Sequence, residues 1–282
     1  MSKNVCVLLI LFLSMATVAH ARISHGVIKE GLTLESKILG KKVRYTIYLP
    51  YDYETSARLY PAVYLLHGYH DNDMSWIQFG EANTIADQAI ASREIPPMVI
   101  IMPDAGASWY VNNFDNSVRY EDFFFQELIP FMESHYRLRP EKRYRALAGQ
   151  SMGGFGALNF AMHRPDMFDV CAVMGPAVNT PDEFVAMSDT TWNGGWPVTL
   201  YGRKTGQERL TEHLLSYNPI RIAETGDVEK LRTVRFYIDC GDDDYLTVAN
   251  STLHISMTKR KIPHEFRVRD GAHAWTYWRS GL

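Results

Sequence analysis

Apolar and polar residues recur along this chain with two periods, one typical of β-strands and one typical of α-helices. Residues 43–49 alternate at every second position, as a half-buried strand does. Short apolar runs predict further strands at 62–66, 98–102, 145–148, 170–174, 235–240 and 265–269. Apolar residues three and four positions apart predict helices at 81–92, 121–136, 151–163 and about 247–261. This order predicts an α/β fold with a mostly parallel central sheet and helices on both faces.

Residues 176–219 interrupt the alternation, because they contain no clear strand. The segment carries Trp192, Trp196 and Tyr201 together with several glycines. Long irregular segments within a compact domain are usually functional. We therefore expect a lid or a wall of a binding site here, the alternative being a surface insertion without a function.

The first residues have the pattern of a secretory signal. Lys3 precedes an apolar run from Val5 to Val18, and the sequence AHA follows at 19–21. The run is shorter than the roughly 20 residues that a membrane-spanning helix needs. We expect a cleaved signal peptide at 1–21, one folded domain at 22–282, a secreted or periplasmic location, and no stable membrane anchor.

Composition narrows the classes of protein to consider. The chain is 46% hydrophobic and 22% charged, as globular enzymes are, and its net charge of −3 argues against a nucleic-acid partner. After removal of the leader, Cys171 and Cys240 remain. Export makes a disulfide between them chemically feasible, but both lie in apolar strand-like segments, which favours buried free thiols.

The sequence GQSMG at 149–153 carries the main catalytic candidate, Ser151. A predicted strand leads into this G-x-S-x-G pattern and a predicted helix leaves it. A serine on such a tight turn needs glycines two residues before and after it, because the neighbouring backbone leaves no room for a Cβ atom. The turn also sets the serine hydroxyl at a helix N-terminus, which favours developing negative charge. We predict that Ser151 is a nucleophile.

A serine nucleophile needs a base, and the base needs an orienting acid. His273, in a glycine-containing loop after the last predicted strand, is the predicted base, with His264 as the alternative. The acid is expected after the strand at 235–240, and spacing alone does not rank Asp242, Asp243 and Asp244. Asp239 lies within that apolar strand and is expected to be structural. The acidic cluster fits no standard calcium-binding loop.

Two backbone amides are needed to bind the oxyanion of an acyl-transfer intermediate. One is predicted at Met152, directly after the nucleophile, and the other at Tyr69, after the strand at 62–66. The alternative for this second loop is a metal site formed by four side chains: His67, His70, Asp71 and Asp73. No further metal ligands accompany them, so we expect no metal and no cofactor.

These motifs resemble the esterase D-like group of α/β-hydrolases, which includes feruloyl and acetyl-xylan esterases, S-formylglutathione hydrolases, siderophore esterases and mycolyltransferases. The resemblance rests on YLLHGY at 64–69, SWI at 75–77, MPD at 102–104, SWY at 108–110, ELIP at 127–130, GQSMGG at 149–154 and GAHAWTYWR at 271–279. It implies an α/β-hydrolase catalytic domain at 22–282. The group's C-G-x-x-D-x-L pattern falls on 240–246, which implies Asp244 as the acid. The alanines on both sides of His273 depart from the group's usual residues.

The resemblance implies a serine carboxylesterase that acts on an ester substrate. The aromatic residues expected near the cleft suit an aromatic acyl group or a sugar face: they are Trp76, Trp109, Tyr110, Trp192, Trp196 and Trp275. Feruloyl or acetyl esters on plant polysaccharide are therefore the expected substrates. The alternatives are an acyltransferase, a siderophore or short-chain acyl esterase, and an inactive glycan-binding protein. The same tryptophans serve equally well as core residues, and the sequence assigns no oligomeric state.

Overall fold

The computed structural model describes residues 24–282, which form one eight-stranded sheet flanked by helices. The predicted signal peptide at 1–21 lies outside the described residues. The strand order across the sheet is β1-β2-β4-β3-β5-β6-β7-β8. The strands are β1 (Val27–Ser36), β2 (Lys41–Leu49), β3 (Ala62–Leu66), β4 (Val99–Pro103), β5 (Arg145–Gln150), β6 (Val170–Met174), β7 (Arg235–Gly241) and β8 (His264–Arg269).

The expectation of a mostly parallel α/β sheet is confirmed. Strands β3 to β8 run parallel to their neighbours, whereas β1 pairs with β2 and β2 with β4 in antiparallel fashion. The sequence analysis missed β1. Only Leu34 and Ser36 are buried in this ten-residue edge strand, so it lacks the apolar alternation that marks the other strands.

The helices cover both faces of the sheet. They are α1 (Ser75–Gln78), α2 (Ala82–Ala91), α3 (Tyr120–Phe123), α4 (Ile129–His135), α5 (Met152–His163), α6 (Pro181–Ala186), α7 (Asp189–Gly194), α8 (Trp196–Tyr201), α9 (Glu212–Ser216), α10 (Pro219–Thr225), α11 (Val228–Leu231), α12 (Thr247–Lys259) and α13 (Trp275–Arg279). Short 3-10 helices occupy Lys142–Tyr144 and Gly206–Arg209. Within residues 24–282, no helix has the length and apolar character needed to cross a membrane.

One predicted helix is interrupted in the structure. The stretch 121–136 consists of α3, a π-helical turn at Phe124–Leu128 and α4. Pro130 lies at the start of α4 and has no backbone N–H, so it cannot continue the regular hydrogen-bond ladder. The other three predicted helices agree with α2, α5 and α12 to within two residues at each end.

The core lies on the two faces of the sheet because successive strand residues point in opposite directions. In β3, Tyr64 and Leu66 belong to the larger apolar cluster, and Leu65 belongs to the smaller one on the other face. Cys171 and Cys240 are both buried free thiols, so the alternative of a disulfide between them is not realised. Burial raises the pKa of the Cys240 thiol to about 12, which keeps it protonated.

The segment 176–219 is helical and packed, although no strand or helix was predicted there. It contains α6 to α9 and the 3-10 helix at Gly206–Arg209. Its centre is Arg209, whose guanidinium is 1% exposed and donates hydrogen bonds to the carbonyls of Phe184 (3.1 Å) and Val185 (3.2 Å). It also pairs with the carboxylate of Asp189. A buried arginine joined to several turns at once holds this segment in a defined conformation.

Candidate active site

Ser151 lies on the sharp turn between β5 and α5, with backbone angles φ 51° and ψ −119°. A non-glycine residue rarely adopts this conformation, which costs on the order of 1–3 kcal/mol. The flanking glycines are sterically required. A Cβ on Gly149 would lie 2.6 Å from the Gly153 backbone, and one on Gly153 would lie 2.2 Å from the Leu66 carbonyl oxygen. The G-x-S-x-G pattern is therefore the steric signature of this turn.

A chain of two hydrogen bonds joins the predicted nucleophile, base and acid. His273 Nε2 lies 2.8 Å from Ser151 Oγ, and His273 Nδ1 lies 2.7 Å from Asp244 Oδ2. The other carboxylate oxygen of Asp244 accepts a hydrogen bond of 2.9 Å from the Leu246 N–H, and the acid side chain is fully buried. The alternative base, His264, contacts His254 and a backbone carbonyl instead, at the opposite end of the sheet from Ser151.

The competing aspartates have other environments. Asp239 is completely buried and pairs with Arg269 Nε at 2.8 Å, as expected for a structural residue. Asp242 and Asp243 are exposed, and Asp242 accepts a hydrogen bond from the Gly271 N–H. With Asp270 they bring three carboxylate oxygens within 4.8 Å of one another, but all three residues are exposed. Such exposed acidic groups are common on protein surfaces, so they identify no calcium site.

Three further residues enclose the acid and the base. The Trp278 ring meets the His273 ring edge-on with centroids 4.8 Å apart, and Tyr245, 75% exposed, lies 4.9 Å from it on the solvent side. Partial burial and, secondly, the charge of Asp244 raise the pKa of Tyr245, so its ring is neutral near His273. The backbone at Gly175 (φ 50°) passes close to the acid, and a Cβ on this residue would lie 2.8 Å from Asp244 Oδ2. The sequence analysis did not single out these three residues, although Tyr245 and Trp278 lie within the motifs at 240–246 and 271–279.

The predicted oxyanion amides, Tyr69 and Met152, donate no hydrogen bond to any acceptor within residues 24–282. The Tyr69 amide is oriented through its peptide bond. The carbonyl of Gly68 accepts hydrogen bonds from His67 Nδ1 (2.8 Å) and from the Asp71 N–H (3.2 Å). Because the N–H and C=O of a trans peptide point in opposite directions, these bonds hold the Tyr69 N–H away from that side.

The residues of the alternative metal site do not converge. Both ring nitrogens of His67 are engaged, since Nε2 accepts a 2.9 Å hydrogen bond from the Ala105 N–H. Asp71 accepts a hydrogen bond from Gln150, and Asp73 accepts one from Thr46. In the part of the chain that the structure describes, these side chains form no cluster with metal-ligand geometry. They serve to fix the loop that presents Tyr69.

The structure separates the six aromatic candidates into two groups. Trp76, Tyr110 and Trp192 are fully buried, and the polar side-chain atom of each donates a hydrogen bond of 2.9 Å to a backbone carbonyl. These three side chains belong to the core, so their burial contradicts the expectation that they contact substrate. Tertiary burial, which the sequence does not encode locally, decides this.

Of the remaining aromatic candidates, Trp109 is buried at 5% exposure, whereas Trp196 and Trp275 are half-buried. Trp109 stacks on Trp196 with ring centroids 3.9 Å apart, and it also contacts Tyr69 and Phe155. Trp196 is half-buried and comes from the segment 176–219, so this segment contributes a side chain to the aromatic cluster that includes Trp109 and Tyr69. Trp275 is half-buried on the other face of the sheet from Trp196. Its ring packs edge-on against that of the core residue Trp76, with ring centroids 5.0 Å apart.

Comparisons with known proteins agree with this geometry. The Esterase family model matches residues 36–282. A stretch of 172 residues (57% of this chain) is 31% identical to an endo-1,4-beta-xylanase/feruloyl esterase of Xylanibacter ruminicola, and it spans only 23% of that protein. An acetyl esterase of Caldicellulosiruptor saccharolyticus is 24% identical over 253 residues, which cover 86% of this chain and 91% of that one.

The solved structure of a ferulic acid esterase is also similar to this chain. It superposes with a TM-score of 0.78 at 32% identity, covering 91% of this chain and 94% of the other. The family match spans most of the chain, and the mostly parallel sheet, the serine turn and the position of the histidine loop are those expected from the sequence. The chain therefore belongs to the Esterase family, within the esterase D-like α/β-hydrolases.

Proposed function

We propose that this protein is a secreted serine carboxylesterase that hydrolyses feruloyl or acetyl esters on plant polysaccharide. The observation that carries the proposal is the hydrogen-bonded series from Ser151 through His273 to Asp244, set on the strained turn before α5. A serine hydroxyl is a weak nucleophile unless a base takes its proton, and this arrangement supplies the base and its orienting acid.

The reaction proceeds in two acyl-transfer steps. Ser151 Oγ attacks the ester carbonyl carbon while His273 Nε2 takes the hydroxyl proton, and Asp244 holds the imidazole by its Nδ1–H. The carbonyl oxygen becomes an oxyanion bound by the amides of Tyr69 and Met152. His273 then donates its proton to the departing alcohol, leaving an acyl-serine. Water, deprotonated by His273, releases the acid and restores Ser151. Loss of one oxyanion donor costs about 100- to 1,000-fold in rate in related chemistry.

The substrate class follows from the relatives and the aromatic surroundings together. The similar proteins carry the names feruloyl esterase, ferulic acid esterase and acetyl esterase. The half-buried ring of Trp196, which stacks on Trp109 next to Tyr69, offers an apolar surface that suits an aromatic acyl group. Because most of the chain is similar to an acetyl esterase, an ester with a short acyl group is the second candidate substrate.

The decisive test of the mechanism is the variant Ser151→Ala. We expect hydrolysis of 4-nitrophenyl acetate to disappear while the melting temperature stays close to that of the wild type or rises, since alanine removes the hydroxyl alone. A Ser134→Ala variant, which alters an exposed serine within α4, is the matched control and should retain activity. Hydrolysis by Ser151→Ala at the wild-type rate would refute the proposal.

Two further measurements test the substrate and the location. A panel of methyl ferulate, acetylated xylan, short-chain 4-nitrophenyl esters and a siderophore ester, ranked by kcat/KM, should place methyl ferulate or acetylated xylan first. A preference for short acyl groups irrespective of the alcohol would contradict the polysaccharide assignment. N-terminal sequencing of the exported protein should begin at Arg22, and a mature chain that retains Lys3 would contradict the cleaved leader.

A further inference from the structure

A groove rich in arginine lies at the end of the sheet opposite to Ser151. The parallel strands β3, β5, β6 and β7 begin there, whereas the candidate triad lies at their carboxyl ends. Since β5 has six residues, its two ends are roughly 17 Å apart. The first part of the groove is a cavity of about 490 Å³ that no Asp or Glu of the described chain lines. Its arginines are Arg58, Arg139, Arg143, Arg145 and Arg235.

Most of these arginines are held in place by carboxylates whose residues are not among those that line the cavity. Four of them contact carboxylates: Arg58 with Asp52, Arg143 with Glu141, Arg145 with Glu133 and Arg235 with Asp169. The Arg143 contact is long, 4.0 Å, and its side chain is 70% exposed. Arg139 has no carboxylate partner within residues 24–282; it donates to the Leu59 carbonyl and lies 4.3 Å from the centre of the Tyr144 ring. Guanidinium donors therefore remain available to a ligand at Arg139 and Arg143.

The groove continues into a second cavity of about 640 Å³. The two cavities share Arg58, Pro96 and Pro97, and the second adds Arg93 and the half-exposed Tyr51. One carboxylate, Glu94, lines it. The continuous groove is large enough for several sugar rings and not only for a single small anion. Its positive lining is a local feature, because the chain as a whole has a net charge of −3.

We propose that this groove binds an acidic polysaccharide through its carboxylate-bearing sugar units, at a distance from the site of ester cleavage. The choice of polysaccharide rests on the proposed function. The planar guanidinium fork matches a carboxylate in a bidentate manner. The Tyr51 ring and the prolines present apolar surfaces of the kind on which the C–H faces of sugar rings pack. A ligand with widely spaced carboxylates fits better than nucleic acid, because four of the five arginines already contact carboxylates and the remaining donors are too few to match one phosphate per nucleotide.

The test measures binding apart from hydrolysis. Isothermal titration of the full-length protein uses two ester-free probes of equal length, a xylo-oligosaccharide bearing glucuronic acid and an unsubstituted xylo-oligosaccharide. The variant is Arg139→Gln with Arg143→Gln, and the control is Arg221→Gln with Arg267→Gln, which removes the same charge from exposed sites outside the groove. Arg143→Gln alone serves if the double variant does not fold. Hydrolysis of 4-nitrophenyl acetate, measured in parallel, checks folding and tests the proposed function separately.

The wild type should bind the acidic probe at least 10-fold more tightly than the neutral one, and the groove variant should lose about 10-fold or more of that affinity, as expected when hydrogen bonds to a charged group are lost. The control variant should bind as the wild type does, and kcat/KM for 4-nitrophenyl acetate should be unchanged in both. Unaltered binding by the groove variant, or an equal loss in the control, would overturn the proposal. So would tighter groove-dependent binding of a single-stranded oligonucleotide of similar length.

Discussion

Gly175 gives the most direct test of how closely the acid must be positioned, although it makes no contact with substrate in the proposed mechanism. In Gly175→Ala, the new Cβ would lie 2.8 Å from Asp244 Oδ2, whereas ordinary contact begins at 3.4 Å. The carboxylate must therefore retreat by about 0.6 Å, judged by ordinary van der Waals separation. Its hydrogen bond to His273, now 2.7 Å, would approach or exceed the 3.2 Å limit of a normal bond.

Two reference values bound the expected magnitude from above. Removal of the acid function costs on the order of 10⁴-fold in kcat in serine hydrolases, and a displacement of 1 Å at an active site costs on the order of 100-fold. We therefore expect kcat of Gly175→Ala to fall about 10- to 100-fold, with KM changed much less. The left-handed backbone at φ 50° adds a stability loss of about 1 kcal/mol or somewhat more.

The assay is steady-state hydrolysis of 4-nitrophenyl acetate together with thermal unfolding. Gly40→Ala is the matched control, because Gly40 has φ 62° and its added Cβ would meet no atom within 4 Å. Both variants should lose the stability that the left-handed backbone costs, Gly175→Ala should lose more because its Cβ collides with Asp244, and only Gly175→Ala should lose kcat. If Gly175→Ala keeps kcat within about 3-fold of the wild type, or if Gly40→Ala loses as much, the positional argument fails.

Three other predictions concern the acid, a partly buried histidine and the segment 176–219. Asp244→Asn should lower kcat on the order of 10⁴-fold, whereas Asp242→Asn should leave it nearly unchanged; similar losses in both would contradict the assignment of the acid. Burial lowers the pKa of His163, but the hydrogen bond and charge of Glu121 outweigh it and raise the pKa above 6.5. The stability that the pairing of His163 with Glu121 contributes is thus complete below about pH 6.5 and is lost as pH rises through the folded-state pKa of His163. His163→Gln should therefore reduce the free energy of unfolding more at pH 5.5 than at pH 9. An equal loss measured by urea unfolding at both pH values would refute this. Trp192→Phe leaves the buried backbone carbonyl that the Trp192 ring contacts without its hydrogen-bond donor. This variant should therefore lose about 1–3 kcal/mol of stability without a change in KM. A changed KM at unchanged stability would instead indicate that the Trp192 ring contacts substrate.

Some of the fold could be predicted because its determinants are local. The buried strands β3 to β7 stand out as short apolar runs, and the strand, turn and helix around Ser151 are constrained by glycines whose Cβ atoms would collide with the backbone. β1 could not be predicted, because an edge strand with two buried positions needs only its pairing with β2, and that pairing is not a property of its own residues. The helices of 176–219 are four to six residues long, too short to show a helical period.

The sequence alone determined the order of strands β2 to β8 and of the longer helices between them, the turn that presents Ser151, and the position of His273 in a loop after the last strand. Only the tertiary structure decided between the neighbouring aspartates by contact. The loop after β7 and the loop after β8 meet beside Ser151, and there Asp244 reaches His273 while Asp242 faces solvent. Burial likewise distinguished Trp192, which lies in the core, from the half-buried Trp196, which stacks on Trp109. Steric limits between residues that are close in sequence can be read from the sequence itself. Contacts between residues far apart in sequence depend on how the sheet brings the ends of its strands together.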